Sequence, residues 1–201
     1  MTMAEELFLD TAYGRVFAKS VGKASDPLVL GIHGWSQRNG WHTWEPLMAP
    51  LAAAGWWVVS VDMPGWGQST AAQPGPLRTE QAVETVLSLL EQLQPGGTAV
   101  LLGKSWGGGV ALMLALDDPA RIDKLILTAP AFRDFARLPD LQQPVLMAWA
   151  EDDPVIPVAY TQQYQAAVPH LQLEIYPTGG HSAAQKNVAD FAPKAVKFLQ
   201  S

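Results

Sequence analysis

Ser105 is the residue of this chain best set to act as a nucleophile. It stands in Gly103-Lys104-Ser105-Trp106-Gly107-Gly108-Gly109, after the apolar run Thr98–Gly103 and before the small-residue segment Gly107–Leu116. Gly-x-Ser-x-Gly between a strand and a helix is the pattern of a nucleophile elbow, where small neighbours allow a sharp turn that lifts the hydroxyl above the sheet. A helix start beside it offers backbone N–H groups to developing negative charge, and the Trp106 N–H is one donor for a tetrahedral oxyanion. The plain structural reading of the same residues is an N-cap serine in a glycine-rich helix start. A phosphate-binding loop fits poorly, since Thr98 stands where its first glycine is required. A dinucleotide fingerprint fits no better in Gly31-Ile32-His33-Gly34-Trp35.

A serine hydroxyl needs a histidine to take its proton and a carboxylate to orient that histidine. Behind this elbow the expected chain order is serine, acid, histidine. His170 and His181 are the two histidines beyond Ser105. His181 lies in the glycine-rich loop Tyr176-Pro177-Thr178-Gly179-Gly180-His181-Ser182, just after a strand, where a catalytic loop belongs. His170 precedes the same strand and belongs at the opposite edge of the sheet. Glu151, Asp152 and Asp153 all follow the strand Pro144–Trp149, and Asp134 follows the strand before it. Like charges repel, so one of the three adjacent carboxylates at most is expected against His181, and spacing alone does not choose it. At the end of an earlier strand, Gly34 is followed by Trp35, whose N–H is the second candidate oxyanion donor. His33 makes a poor metal ligand, because His42 is nine residues away with no regular spacing. No cofactor and no metal are expected.

These residues need a scaffold of strands. Leu7–Asp10 and Arg15–Ser20 read as an antiparallel hairpin about Tyr13-Gly14. Strands are then predicted over Leu28–Ile32, Trp56–Val61, Thr98–Gly103, Ile122–Ala129, Pro144–Trp149 and Leu171–Tyr176. Helices are predicted over Trp44–Ala54, Thr79–Gln94, Gly107–Leu116, Val158–Val168 and Val188–Leu199. The later strands are short and mostly apolar on both faces and alternate with helices. The pattern implies an α/β three-layer sandwich, with a mostly parallel sheet covered on both sides. The 201 residues suit one domain over the whole chain, with no repeat and no room for a second.

The formal charge of −6 and the lack of any Lys/Arg cluster argue against a nucleic-acid surface. With no cysteine, disulfides, thiolate metal sites and a thiol nucleophile are excluded. The N-terminus opens acidic, unlike a signal peptide, and no apolar run approaches the roughly 20 residues of a membrane span. The expectation is a soluble, cytoplasmic protein acting on a small molecule and water, with nothing in the sequence to fix its oligomeric state.

Five motifs in order resemble the α/β-hydrolase fold superfamily. They are His33-Gly34-Trp35, then Asp62-Met63-Pro64-Gly65-Trp66-Gly67-Gln68-Ser69, then the elbow around Ser105. Trp149-Ala150-Glu151-Asp152-Asp153-Pro154-Val155-Ile156-Pro157 and Gly180-His181 follow. The resemblance implies Ser105 as nucleophile, His181 as base and Asp153 as acid. It also implies Trp35 and Trp106 as backbone oxyanion donors, and Asp62 as an aspartate tying down the loop of Gly65 and Gly67. Gly34, Gly103 and Gly107 take structural places in these motifs. Lys104 departs from the His or Gly that often precedes the serine. Only 14 residues separate Ala129 from Pro144, where lidded relatives insert a helical cap. The layout is therefore similar to compact, lidless serine hydrolases of the CCG1-interacting factor B type. In that layout Trp66, Phe132 and Phe135 line an open, aromatic acyl pocket.

The expected reaction is hydrolysis of a carboxylic ester, or a related acyl bond, through an acyl-enzyme. The same triad also serves perhydrolysis and carbon–carbon hydrolysis. A binding protein that kept the fold without catalysis is the alternative of a different class.

Overall fold

The structure, a computed structural model, describes residues 4–201. Met1, Thr2 and Met3, part of the acidic N-terminal stretch read above, lie outside the described residues.

Eight strands form one sheet: β1 (Glu5–Thr11), β2 (Gly14–Val21), β3 (Leu28–Ile32), β4 (Trp57–Asp62), β5 (Ala99–Lys104), β6 (Ile122–Thr128), β7 (Val145–Ala150) and β8 (Leu171–Tyr176). Their order is β1-β2-β4-β3-β5-β6-β7-β8. The hairpin β1–β2 is antiparallel, β2 meets β4 antiparallel, and every later pair is parallel. Strands β3, β4, β5 and β7 are buried at every residue. That explains why their sequences lack alternation: a parallel strand between two helical layers has no wet face.

Among the described residues six α-helices cover the sheet: α1 (Glu45–Ala53), α2 (Thr79–Leu93), α3 (Trp106–Asp117), α4 (Thr161–Ala167), α5 (Ala183–Lys186) and α6 (Val188–Gln200). One apolar cluster joins α2, α3 and α4 to one sheet face, and a second joins α1, α5 and α6 to the other. The two faces of a single strand feed different clusters, as Leu101 and Leu102 of β5 do. Between β6 and β7 the chain makes one short 3₁₀ turn, Phe135–Asp140, and no cap. Among the described residues no helix is long and apolar enough to cross a membrane.

Candidate active site

Strand β5 is central, and its C-terminal end carries Ser105. Ser105 has φ 52° and ψ −117°, a left-handed conformation that a residue with a Cβ adopts at a cost. Its surroundings impose that turn. The Ser105 N–H donates to the Thr128 carbonyl at 2.9 Å, and its carbonyl accepts the N–H groups of Ala131 at 2.8 Å and Gly109 at 3.0 Å. Glycines let α3 crowd in. A Cβ on Gly107 would meet the His33 carbonyl oxygen, and that of Ile32 at 2.6 Å. A Cβ on Gly103 would meet Gly108 Cα at 2.6 Å. The expected structural places of Gly103 and Gly107 are thus close approaches of backbone to backbone.

His181 and Asp153 come together from the ends of β8 and β7. Asp153 Oδ2 lies 2.8 Å from His181 Nδ1. Oδ1 accepts the N–H groups of Val155 at 2.8 Å and Ile156 at 3.0 Å. The buried Trp149 indole donates to the Ile156 carbonyl at 3.0 Å and closes the same turn. Asp152 does not touch the ring. Its Oδ1 accepts the Gly180 N–H at 2.7 Å, and so fastens the backbone of the histidine loop. Asn187 adds a second fastening, its amide donating to the Thr178 carbonyl at 2.8 Å. His181 Nε2 is buried and has no hydrogen-bond partner. No hydrogen bond therefore joins it to Ser105. His170 sits at the start of β8, its carbonyl accepting the Val145 N–H, away from this edge.

The loop after β3 is held by His33 and Asp62. His33 is fully buried. Its Nε2 accepts the Met63 N–H at 3.0 Å, so the proton sits on Nδ1 and is donated to the Gly34 carbonyl at 2.7 Å. Burial pushes its pKa down to about 4. Asp62 accepts the N–H groups of Trp41 at 2.6 Å and Gln68 at 2.8 Å. It thereby joins the loops after β3 and β4, including Gly67 at φ +51°. Among these bonds nothing engages the Trp35 N–H. Trp106, as the first residue of α3, has an N–H with no intrahelical carbonyl to reach.

Trp35, Trp66 and Trp106 pack their rings together at centroid distances of 5.2–5.3 Å. Trp66 is buried in the stack, its indole donating to the Trp35 carbonyl at 3.0 Å. It still borders a cleft of about 380 Å³ with Trp35 and Pro76. Phe132 and Trp106 border another of about 300 Å³ with Met113 and Arg133. Phe135 turns instead onto Tyr164 and Tyr160. The tryptophan stack stands between two shallow clefts rather than within one pocket.

The alpha/beta hydrolase fold family matches residues 27–143 and 131–186. The chain belongs to that family. It is 33% identical over 119 residues to a 2-hydroxy-6-oxononadienedioate/2-hydroxy-6-oxononatrienedioate hydrolase of Cupriavidus pinatubonensis, covering 59% of this chain and 40% of that protein. It is 32% identical over 139 residues to a pimeloyl-[acyl-carrier protein] methyl ester esterase of Pseudoalteromonas atlantica, covering 69% and 47%. The chain thus spans less than half the length of these curated relatives. Among solved structures, a predicted CIB-like hydrolase from Thermoplasma acidophilum superposes with a TM-score of 0.89, at 26% identity over 99% of both chains. The layout expected from the short β6–β7 connection is the one this whole-chain match shares.

Proposed function

We propose that this α/β-hydrolase family member is a serine hydrolase of small acyl substrates. The observation that carries the reading is the Asp153–His181 pair, built at two adjacent strand ends beside the strained turn of Ser105. A binding protein has no use for a buried carboxylate holding a half-buried imidazole whose other nitrogen is left without a partner.

In this mechanism Asp153 holds the Nδ1 proton, so Nε2 is the basic nitrogen. Ser105 Oγ attacks the substrate carbonyl while Nε2 takes its proton. The N–H groups of Trp35 and Trp106 receive the oxyanion. His181 then protonates the leaving group, and water cleaves the acyl-serine by the same route.

Two bonds suit this machinery: the C–O bond of an ester and the C–C bond beside a ketone. The relatives divide along that line, and the dienedioate hydrolases among them give the C–C reading the greater support. The ester reading rests on the methyl ester esterase. A serine-directed fluorophosphonate, followed by mass spectrometry, tests the nucleophile; labelling elsewhere than Ser105 refutes it. Turnover of a panel of short esters beside a 2-hydroxy-6-oxo-dienoate then decides the bond.

A further inference from the structure

Behind the histidine loop lies a cavity of about 360 Å³ walled by Asn39, His42, Thr43, Lys104, Gln185 and Lys186. Several of its polar groups lack partners, although His42 Nε2 lies 3.0 Å from the Arg38 carbonyl oxygen. Lys104 is only 9% exposed and Thr43 only 7%. Among the described residues Lys104 enters no ion pair, though its nitrogen is not one of the fully buried atoms left without a partner. Thr43 Oγ1 and both amide atoms of Gln185 are buried without a hydrogen-bond partner. Leaving one such group unmet is costly, and native proteins rarely do it. Several together around one void mark an interaction still to be made.

The charge of the void is one-sided. Burial pushes the Lys104 pKa down, with Lys186 adding to the effect and Asp153 opposing it. Asp153 has both oxygens committed to His181, Val155 and Ile156. Two ammonium groups, a hydroxyl and side-chain amides line the cavity, no carboxylate lines it, and the nearby Asp153 is bonded elsewhere, so their complement is a small oxyanion.

The cavity adjoins the nucleophile. Lys104 precedes Ser105 in the chain, and Ser182, which also borders the void, follows His181. A side chain at Gly34 would meet Asn39 Nδ2 at 3.2 Å and Ser105 Cβ at 3.5 Å, so Asn39 and Ser105 flank one point. We propose that this cavity binds a carboxylate carried by the substrate itself, making the preferred substrate an acidic ester or ketone rather than a neutral one. The proposal rests on the hydrolase reading for the role of Ser105, and it explains Lys104, for which the triad has no use.

The test uses Ser105→Ala, which cannot turn over an ester, titrated by NMR with monomethyl glutarate, dimethyl glutarate and inorganic phosphate. Monomethyl glutarate is expected to bind about tenfold or more tighter than the diester. That preference is expected to collapse when Lys104→Met or Lys186→Gln is added; the exposed Lys186 supplies the second variant should the buried one disturb folding. Equal binding of the two esters, no binding of either, or a preference that survives both lysine substitutions overturns the proposal. So does phosphate binding as tightly as the monoester without discrimination between the esters, which assigns the cavity to a free anion. A failure of the hydrolase reading appears separately, as ester turnover that persists in Ser105→Ala, and does not alter the binding result.

Discussion

Asp153 holds His181 with one carboxylate oxygen and its own turn with the other. Oδ2 meets Nδ1 at 2.8 Å while Oδ1 takes two backbone N–H groups. The split matters for Asp153→Asn. The amide oxygen is the group that can accept from Val155 and Ile156, so the NH₂ is left facing Nδ1. That nitrogen must then accept, and the ring proton moves to Nε2, where the base has to be. kcat/KM on a confirmed substrate is expected to fall about a thousandfold or more with little change in melting temperature. Paired kinetics and thermal unfolding check this, and a loss under tenfold would remove Asp153 from the triad.

Ser105 pays for its position in backbone strain, and two substitutions separate strain from chemistry. Ser105→Ala removes the hydroxyl but keeps the Cβ at φ 52°. Turnover is expected to drop on the order of 10⁴-fold or more, with the melting temperature nearly constant. Ser105→Gly removes the nucleophile and relieves the strain as well. It is expected to melt about 2–4 °C above Ser105→Ala, the equivalent of about 1 kcal/mol in a chain of this size. Calorimetry on the two variants side by side decides it.

Gly107→Val has no such freedom. Its Cβ would enter the space of the His33 and Ile32 carbonyls, which are backbone and cannot rotate away. About 3 kcal/mol of stability, or a fall of about 6–12 °C in melting temperature, is expected together with loss of activity. A variant that melts normally but is inactive would contradict this account of the helix–strand contact.

His33 makes stability depend on acid. Its folded pKa is about 4, against about 6.5 in the unfolded chain. Between those values the unfolded state binds the extra proton, so stability rises with pH there. The neutral, buried ring contributes in full above about pH 6.5 and is lost as pH falls through about 4, by up to about 3 kcal/mol. Urea unfolding at intervals across that window is expected to show this slope, and His33→Gln is expected to flatten it. An unchanged slope in that variant would place the acid sensitivity elsewhere.

The strands were legible where burial writes them. Leu28–Ile32 reads from the sequence with the bounds of β3, which is buried throughout; Leu171–Tyr176 reads with those of β8, in which only Tyr176 is buried, so burial does not carry that one. Glu151, Asp152 and Asp153 were equivalent by spacing, because direction after β7 depends on which carboxylate captures the next two N–H groups. The family pattern selected Asp153, but it was silent on Asp152 as the anchor of Gly180. Helix α5, with four residues, is too short to show periodicity. Without it nothing in the sequence says that Lys104 is buried, or that Gln185 and Lys186 face it. The family layout puts Trp66, Phe132 and Phe135 at a pocket; Trp66 and Phe132 border clefts, and Phe135 packs on tyrosines instead. The orientation of Trp66 and Phe135 is set by partners far along the chain, the Trp35 carbonyl and the Tyr160–Tyr164 pair.

The neighbouring of β3 and β5 in the sheet has a practical corollary. The two strands are joined in space by their ladder but separated in the chain by α1, β4, α2 and the turn Pro95-Gly96-Gly97, of which Pro95 and Gly96 are exposed. A cut in that turn divides the machinery unequally. The N-terminal piece keeps Trp35, His33 and Asp62, and the C-terminal piece keeps Ser105, Asp153 and His181. Neither piece holds both of the proposed oxyanion donors, so on that reading signal would arise only when β3 and β5 zip together. The fold thereby contains a natural split point for a two-fragment reporter of proximity, in which strand pairing would switch the proposed hydrolysis on.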